Sequence, residues 1–118
     1  MTVKECYEQM GGNYDDVMSR LRTDERVIKF LGKVVSDTSF ELLTESLKNH
    51  SMDEAFRAAH TLKGVSMNLS LTKLYGVADK LTEALRGRSD YGEDLVPLYD
   101  AFKEVYLHTI ESIKTLQN

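Results

Sequence analysis

Apolar residues recur along this chain at intervals of three and four, and only a helix gathers residues so spaced onto one side. Leu71, Leu74, Ala78, Leu81 and Leu85 form the cleanest stripe, and Gly87 stops it. A longer seam of Leu95, Leu98, Phe102, Val105, Thr109, Ile113 and Leu116 predicts a last helix over about 92–116. Towards the amino end a helix over about 2–10 closes at Gly11-Gly12, where glycine accepts a left-handed backbone. Asn13 caps a second helix over about 14–22, with Tyr14, Val17, Met18 and Leu21 on one face. Thr23 or Asp24 opens a third, burying Val27, Phe30, Leu31 and Val34. Thr38-Ser39-Phe40-Glu41, Ser51-Met52-Asp53-Glu54 and Asp90-Tyr91-Gly92-Glu93 each put a capping oxygen three residues before a glutamate.

Connections this short set long helices antiparallel to their neighbours, and stripes this wide must bury against one another. The expected fold is all-α: an antiparallel four-helix bundle with one or two short accessory helices at the amino end. One proline and seven glycines in 118 residues leave little to interrupt it. A chain of this length supports one core, so a single domain over residues 1–118 is expected. An initial Met and a compact ending favour a complete small protein.

The charge balance narrows the function. Fifteen Lys and Arg against nineteen Asp and Glu give a net charge of −4, which nucleic acid repels on average. No basic recognition helix offsets that balance, so a helix-turn-helix DNA binder is disfavoured. No apolar run approaches the roughly 20 residues of a membrane span, and no signal-peptide core opens the chain. The lone Cys6 forms no internal disulfide and reads as a small hydrophobe. A cytoplasmic monomer is the expectation.

The informative stretch runs from Met52 to Leu69. At 100° per residue, Ala55, Ala58, Ala59, Leu62, Val65, Ser66 and Leu69 gather into a core stripe of small residues. His60 falls about 150° from the centre of that stripe, on the outer wall and in mid-helix. Phe56 stands one turn before it, Lys63 and Gly64 one turn after, and Met67 two turns after, while Arg57 flanks it. Most surface histidines are inert. Here two large apolar side chains, Phe56 and Met67, occupy a face that should be polar, as in a docking patch. Gly64 costs a helix interior roughly 1 kcal/mol against alanine. In return it removes a side chain beside the imidazole and lets another backbone approach.

A neutral imidazole keeps a lone pair for attack. If the electrophile is a phosphoryl group, positioning and charge stabilisation do most of the catalysis, and Lys63 can supply a point charge. No second acid or base on this face is spaced to hydrolyse the adduct. A carrier fits better than a turnover enzyme.

His60-Thr61-Leu62-Lys63-Gly64, preceded by Arg57-Ala58-Ala59, resembles the signature of histidine-containing phosphotransfer (HPt) domains, the intermediate carriers of two-component phosphorelays. Size, helical pattern, signature position and the leucine-rich segment after it extend the resemblance over nearly the whole chain. The resemblance implies that His60 takes a phosphoryl group from a receiver-domain phosphoaspartate onto its distal ring nitrogen and passes it to another receiver. It implies partners among response-regulator receiver domains and hybrid sensor histidine kinases, with magnesium carried by the receiver and no cofactor here. Lys63 and Gly64 match the phosphate-neighbouring lysine and the close-approach glycine. Phe56, Arg57, Met67 and Asn68 become candidate partner contacts, Asn68 at a position often small or polar in the family. Ser70 departs from the pattern, since many members carry glycine there.

Two other readings share the helical fold. A chemotaxis-kinase phosphoacceptor domain would be phosphorylated directly by an ATP-binding domain, and a plain docking module would leave His60 unmodified. A metal-binding bundle lacks the paired Glu-x-x-His ligands. Glu104, His108 and Glu111 share a face but read as solvated surface charge. Tyr75, Tyr99 and Tyr106 read as buried flanks, Met10, Met18 and Met52 as packing residues. Arg86-Gly87-Arg88 closes a helix with charges suited to its dipole.

Overall fold

The computed structural model describes residues 1–116. Among them lie seven helices and no strand: α1 (Val3–Met10), α2 (Tyr14–Leu21), α3 (Asp24–Ser36), α4 (Ser39–Lys48), α5 (Met52–Asn68), α6 (Thr72–Leu85) and α7 (Leu95–Leu116). None is long and apolar enough to cross a membrane.

Local chemistry accounts for most of the boundaries. Asn13 Oδ1 accepts from the Asp16 amide at 3.0 Å, and Thr23 Oγ1 accepts from the Arg26 amide at 3.2 Å, so Thr23 caps α3. Gly11 closes α1 at φ 71°. A complete capping box sits at the very start, where Thr2 and Glu5 exchange backbone-to-side-chain bonds of 2.8 and 3.1 Å. Sequence reading passed over that pair because it precedes so short a stripe.

The three predicted boxes fare differently. Two mark true starts, but neither Thr38 nor Ser51 makes a side-chain cap bond. At α4 the Asp37 carboxylate takes that place, accepting from the Ser39 amide at 2.6 Å. The third is a correction: the last helix begins at Leu95, and Asp90 caps nothing. Arg88 holds the preceding loop instead. Its Nε donates to the Asp90 carbonyl at 2.7 Å, and its two terminal nitrogens grip Asp94 at 2.9 and 2.6 Å. Pro97 then falls in the first turn of α7, where a missing N–H costs nothing.

Alanines 55, 58 and 59 let α5 nest closely between α4 and α6, and α6 packs in turn on α7. Phe40 of α4 stacks on Tyr106, Phe102 and Tyr99 at 4.4, 6.2 and 6.3 Å between ring centroids. The Thr44 and Tyr99 hydroxyls meet at 2.7 Å. Progress along α4 therefore runs backward along α7, which is antiparallel packing. Helix α3 leads into α4 through Asp37 and Thr38 and packs on the same α7, so the α3–α4 arm, α5, α6 and α7 make the four-helix bundle. Helices α1 and α2, eight residues each, are the short accessory pair.

Cys6 is wholly buried, its thiol donating to the Ser112 carbonyl at 3.4 Å, and the Tyr7 hydroxyl donates to the Leu69 carbonyl at 2.8 Å. Buried hydroxyls of Ser66, Thr82, Thr109 and Ser112 bond back to carbonyls one turn earlier, so among the described residues no buried side-chain polar atom lacks a partner. Tyr106 is buried as expected, whereas Tyr75 and Tyr99 are only half-buried. Met10 and Met52 pack in the core and Met18 at its edge.

Phe102, 1% exposed, stacks on two rings of this core, Phe40 and Tyr106. Phe102→Ala is expected to lower unfolding free energy by about 3–5 kcal/mol, seen as an earlier denaturant midpoint at unchanged slope.

Candidate functional site

Burial of the small-residue face of α5 decides what the opposite face displays. Ala55, Ala58, Ala59, Leu62 and Ser66 are all buried, and His60 is exposed in mid-helix. Phe56 is half-buried one turn earlier, with its ring centroid 5.7 Å from that of the imidazole and a 32° tilt between the planes. Over the other part of Phe56 lies Arg86, its guanidinium 5.1 Å from the ring centroid. That guanidinium also forks onto Glu83 through bonds of 3.0 and 3.1 Å. Sequence reading assigned Arg86 only to closing a helix. Its place beside Phe56 follows from the antiparallel register of α5 and α6, which local periodicity does not carry.

Lys63 is where helical arithmetic puts it, one turn beyond His60, but its ammonium is not a free cation. Nζ lies 2.8 Å from Asp79 Oδ1 and 3.6 Å from Glu83 Oε1, both on α6, and 6.0 Å from the Tyr75 ring centroid. The Asp79 hydrogen bond pushes the ammonium pKa above its ordinary value. Glu83 is held below the ordinary carboxylate value by Arg86 first and by Lys63 second. Two cations and two carboxylates thus form one chain along the α5–α6 seam beside the imidazole.

Gly64 leaves open space. A Cβ placed there meets no other atom within 4 Å, and the same holds at Gly76 on α6. Helical arithmetic sets Gly76 on the face that carries Asp79 and Glu83, so both walls of the seam are cut low. Gly76 went unremarked in the sequence because nothing in its own helix marks that face.

The other candidates divide into two groups. Met67, 57% exposed, and Asn68 lie towards the α2–α3 end. There Asn68, Leu21, Phe30, Lys33 and Val65 line a cleft of about 260 Å³. Arg57 is exposed on the opposite flank, where it lines a groove with Leu42 and Thr61. Ser70, just past α5, has φ 55°, a left-handed backbone that explains why glycine suits the position. Its hydroxyl donates to Asp16 Oδ2 at 2.6 Å and accepts from Arg20, fastening the end of α5 to α2. The remaining histidines serve the fold: His50 stacks on Tyr91 at 4.1 Å, and the His108 ring meets the Gln9 carbonyl at 3.0 Å. Among the described residues no group of three His, Cys, Asp or Glu side chains could hold a metal ion.

The chain matches the family model of the Hpt domain over residues 35–115, more than half its length. It belongs to the Hpt-domain family. Hpt domains carry out histidine phosphotransfer in two-component phosphorelays, working with receiver domains and kinases. No curated protein and no solved structure matches the chain. The matched span begins at the end of α3, so α1, α2 and most of α3 precede it.

Two outcomes follow from this geometry. Gly64→Ala is expected to raise unfolding free energy by about 0.5–1 kcal/mol in thermal melts, because the added methyl meets nothing. Asp16 has its carboxyl held below the ordinary 3.8 by the Ser70 hydroxyl and then Arg20. Its contribution is complete above that ordinary value and fades as pH falls through the lower folded value. The stability advantage of the parent over Asp16→Asn, taken from denaturant midpoints, is therefore expected in full at pH 7 and expected to shrink as pH falls below 3.8.

Proposed function

We propose that His60 is the phosphoacceptor of this Hpt domain, receiving the phosphoryl group from a phosphoaspartate of one receiver domain and delivering it to another. The observation that carries the reading is an imidazole exposed in mid-helix beside a glycine that leaves open space, within the span matched to the Hpt family. A receiver delivers its phosphoaspartate from a rigid surface, so the acceptor must stand proud of its own helix and nothing beside it can block the approach. Gly64 meets the second requirement, and Gly76 extends the low ground onto α6.

The chemistry balances without a further reagent. With Nδ1 carrying the proton, Nε2 supplies its lone pair to phosphorus while the acyl-phosphate P–O bond breaks, and that electron pair returns to the receiver's carboxylate. Transfer onward reverses these roles. Magnesium and the aspartate come with the receiver, and this chain contributes the nucleophile, its display and nearby cations. Lys63 is the cation closest in register, a point charge able to meet a phosphoryl oxygen. Phe56 and Met67 give the partner apolar contact on either side of the imidazole, with Arg57 and Asn68 at the margins.

Incubation with phosphorylated receivers tests the assignment. The parent is expected to acquire an acid-labile, base-stable label that His60→Gln abolishes while its helical circular dichroism is retained. Label retained in His60→Gln would overturn it. Label obtained from ATP and a kinase core, with none from any receiver, would instead make this a direct kinase substrate. Gly64→Gln is expected to slow transfer at least tenfold at unchanged or higher stability, and an unchanged rate would remove the steric part of the argument.

A further inference from the structure

The ammonium best placed to serve the phosphoryl group is occupied elsewhere. Lys63 Nζ sits on Asp79 and reaches towards Glu83, both contributed by the neighbouring helix α6. We propose that Asp79 is a positioning residue that holds Lys63 in reserve, so that phosphorylation of His60 must draw the lysine off α6 and Asp79 thereby sets how far the phosphorylated state is favoured. The proposal rests on the reading of His60 as acceptor.

Three features single out Asp79. First, the two carboxylates grip unequally: Asp79 is 2.8 Å from Nζ, whereas Glu83 is 3.6 Å away and already forks onto Arg86. Among the described residues Asp79 has no ion-pair partner other than Lys63. Its charge is therefore the one that competes for the lysine. Second, the lysine is able to change hands. Its stem lies in the α5–α6 seam and its side chain is 21% exposed. Residues three apart on a helix are neighbours, so a rotamer change at the end of the stem carries the ammonium from one partner to the other. Third, the contest is between unlike charges. A phosphoryl group brings close to two negative charges and three acceptor oxygens, against the single charge of Asp79. The lysine is expected to cross over, and the lost Asp79 contact is subtracted from what it gains.

With Lys63 on Asp79 and Arg86 on Glu83, the unphosphorylated seam is locally neutral and the lysine is stored within reach of the imidazole.

The test loads the intact protein with phosphoramidate, a donor that needs no partner. Nε2 bonds to phosphorus as the donor's P–N bond breaks, ammonia leaves with that electron pair, and Nδ1 keeps its proton. At fixed phosphoramidate and ammonium concentrations, phosphorus NMR gives the ratio of phosphorylated to free protein. Asp79→Asn keeps the shape and removes the charge, and it is expected to raise this ratio about two- to fivefold, the span open to a partly exposed ion pair. Glu83→Gln should raise it less. In a Lys63→Ala background the Asp79→Asn gain should shrink towards one, because no lysine remains to be released. The carbon-13 signal of Lys63 Cε should move on phosphorylation in the parent and move less in Asp79→Asn.

An unchanged ratio in Asp79→Asn would overturn the proposal. So would an equal gain with and without Lys63, which would mean that Asp79 acts on the phosphoryl group directly. Melting curves of each variant exclude a general loss of structure. No histidine label in the parent, or label surviving in His60→Gln, would sink the acceptor reading and this proposal together. A normal His60 label with no coupling between Asp79 and Lys63 would sink this one alone.

Discussion

Close approach of α5 to its two neighbours is the constraint on which the other features rest. Three alanines and a back-bonded serine make one side of that helix nearly smooth, so α4 and α6 fit against it tightly. A helix committed to burying that side has no freedom to roll, since any rotation would expose leucine and bury charge. His60 is outward because Ala58, Ala59 and Leu62 are inward. The same closeness brings α6 side chains within reach of α5 side chains, which is why the setting of the imidazole is shared between two helices.

That sharing decides the electrostatic character of the face. A protein with net charge −4 has no surplus of cations to spend on a basic patch. Lys63 and Arg86 are instead each matched with a carboxylate, and Arg86 additionally lies over the Phe56 ring. The result is a nearly neutral strip whose charges can be redistributed by one lysine rotamer. Long-range attraction contributes little to bringing an anionic partner to such a surface. Contact area and short-range pairing have to do that work.

Much of this was legible in the chain itself. Stripe periodicity and capping patterns together located all seven helices, and the angle between His60 and the alanine stripe predicted an exposed ring, as the structure has it. What escaped were features that depend on one helix meeting another. The pairing of Lys63 with Asp79 spans two helices, as does the seat of Arg86 above Phe56. The start of α7 was misplaced because Arg88 spends its donors on Asp90 and Asp94, and a capping pattern read from four residues cannot register a bond across six. Ser70 shows the reverse case. It looked like a departure from the family pattern, yet its left-handed backbone keeps the geometry that glycine would supply.

The fastening at Ser70 has a consequence for how such a molecule can diverge. Asp16 and Arg20 of α2 clasp the residue that ends α5, and the Tyr7 hydroxyl holds the Leu69 carbonyl beside it. The first two helices lie outside the span matched to the family, but they are bolted to the tip of the helix that carries the imidazole. Leu21 and Phe30 shape the cleft next to Asn68 some two turns from that ring. Amino-acid changes in this segment would recontour the landing ground while leaving the reacting atoms untouched, so recognition could drift under selection independently of the chemistry it serves.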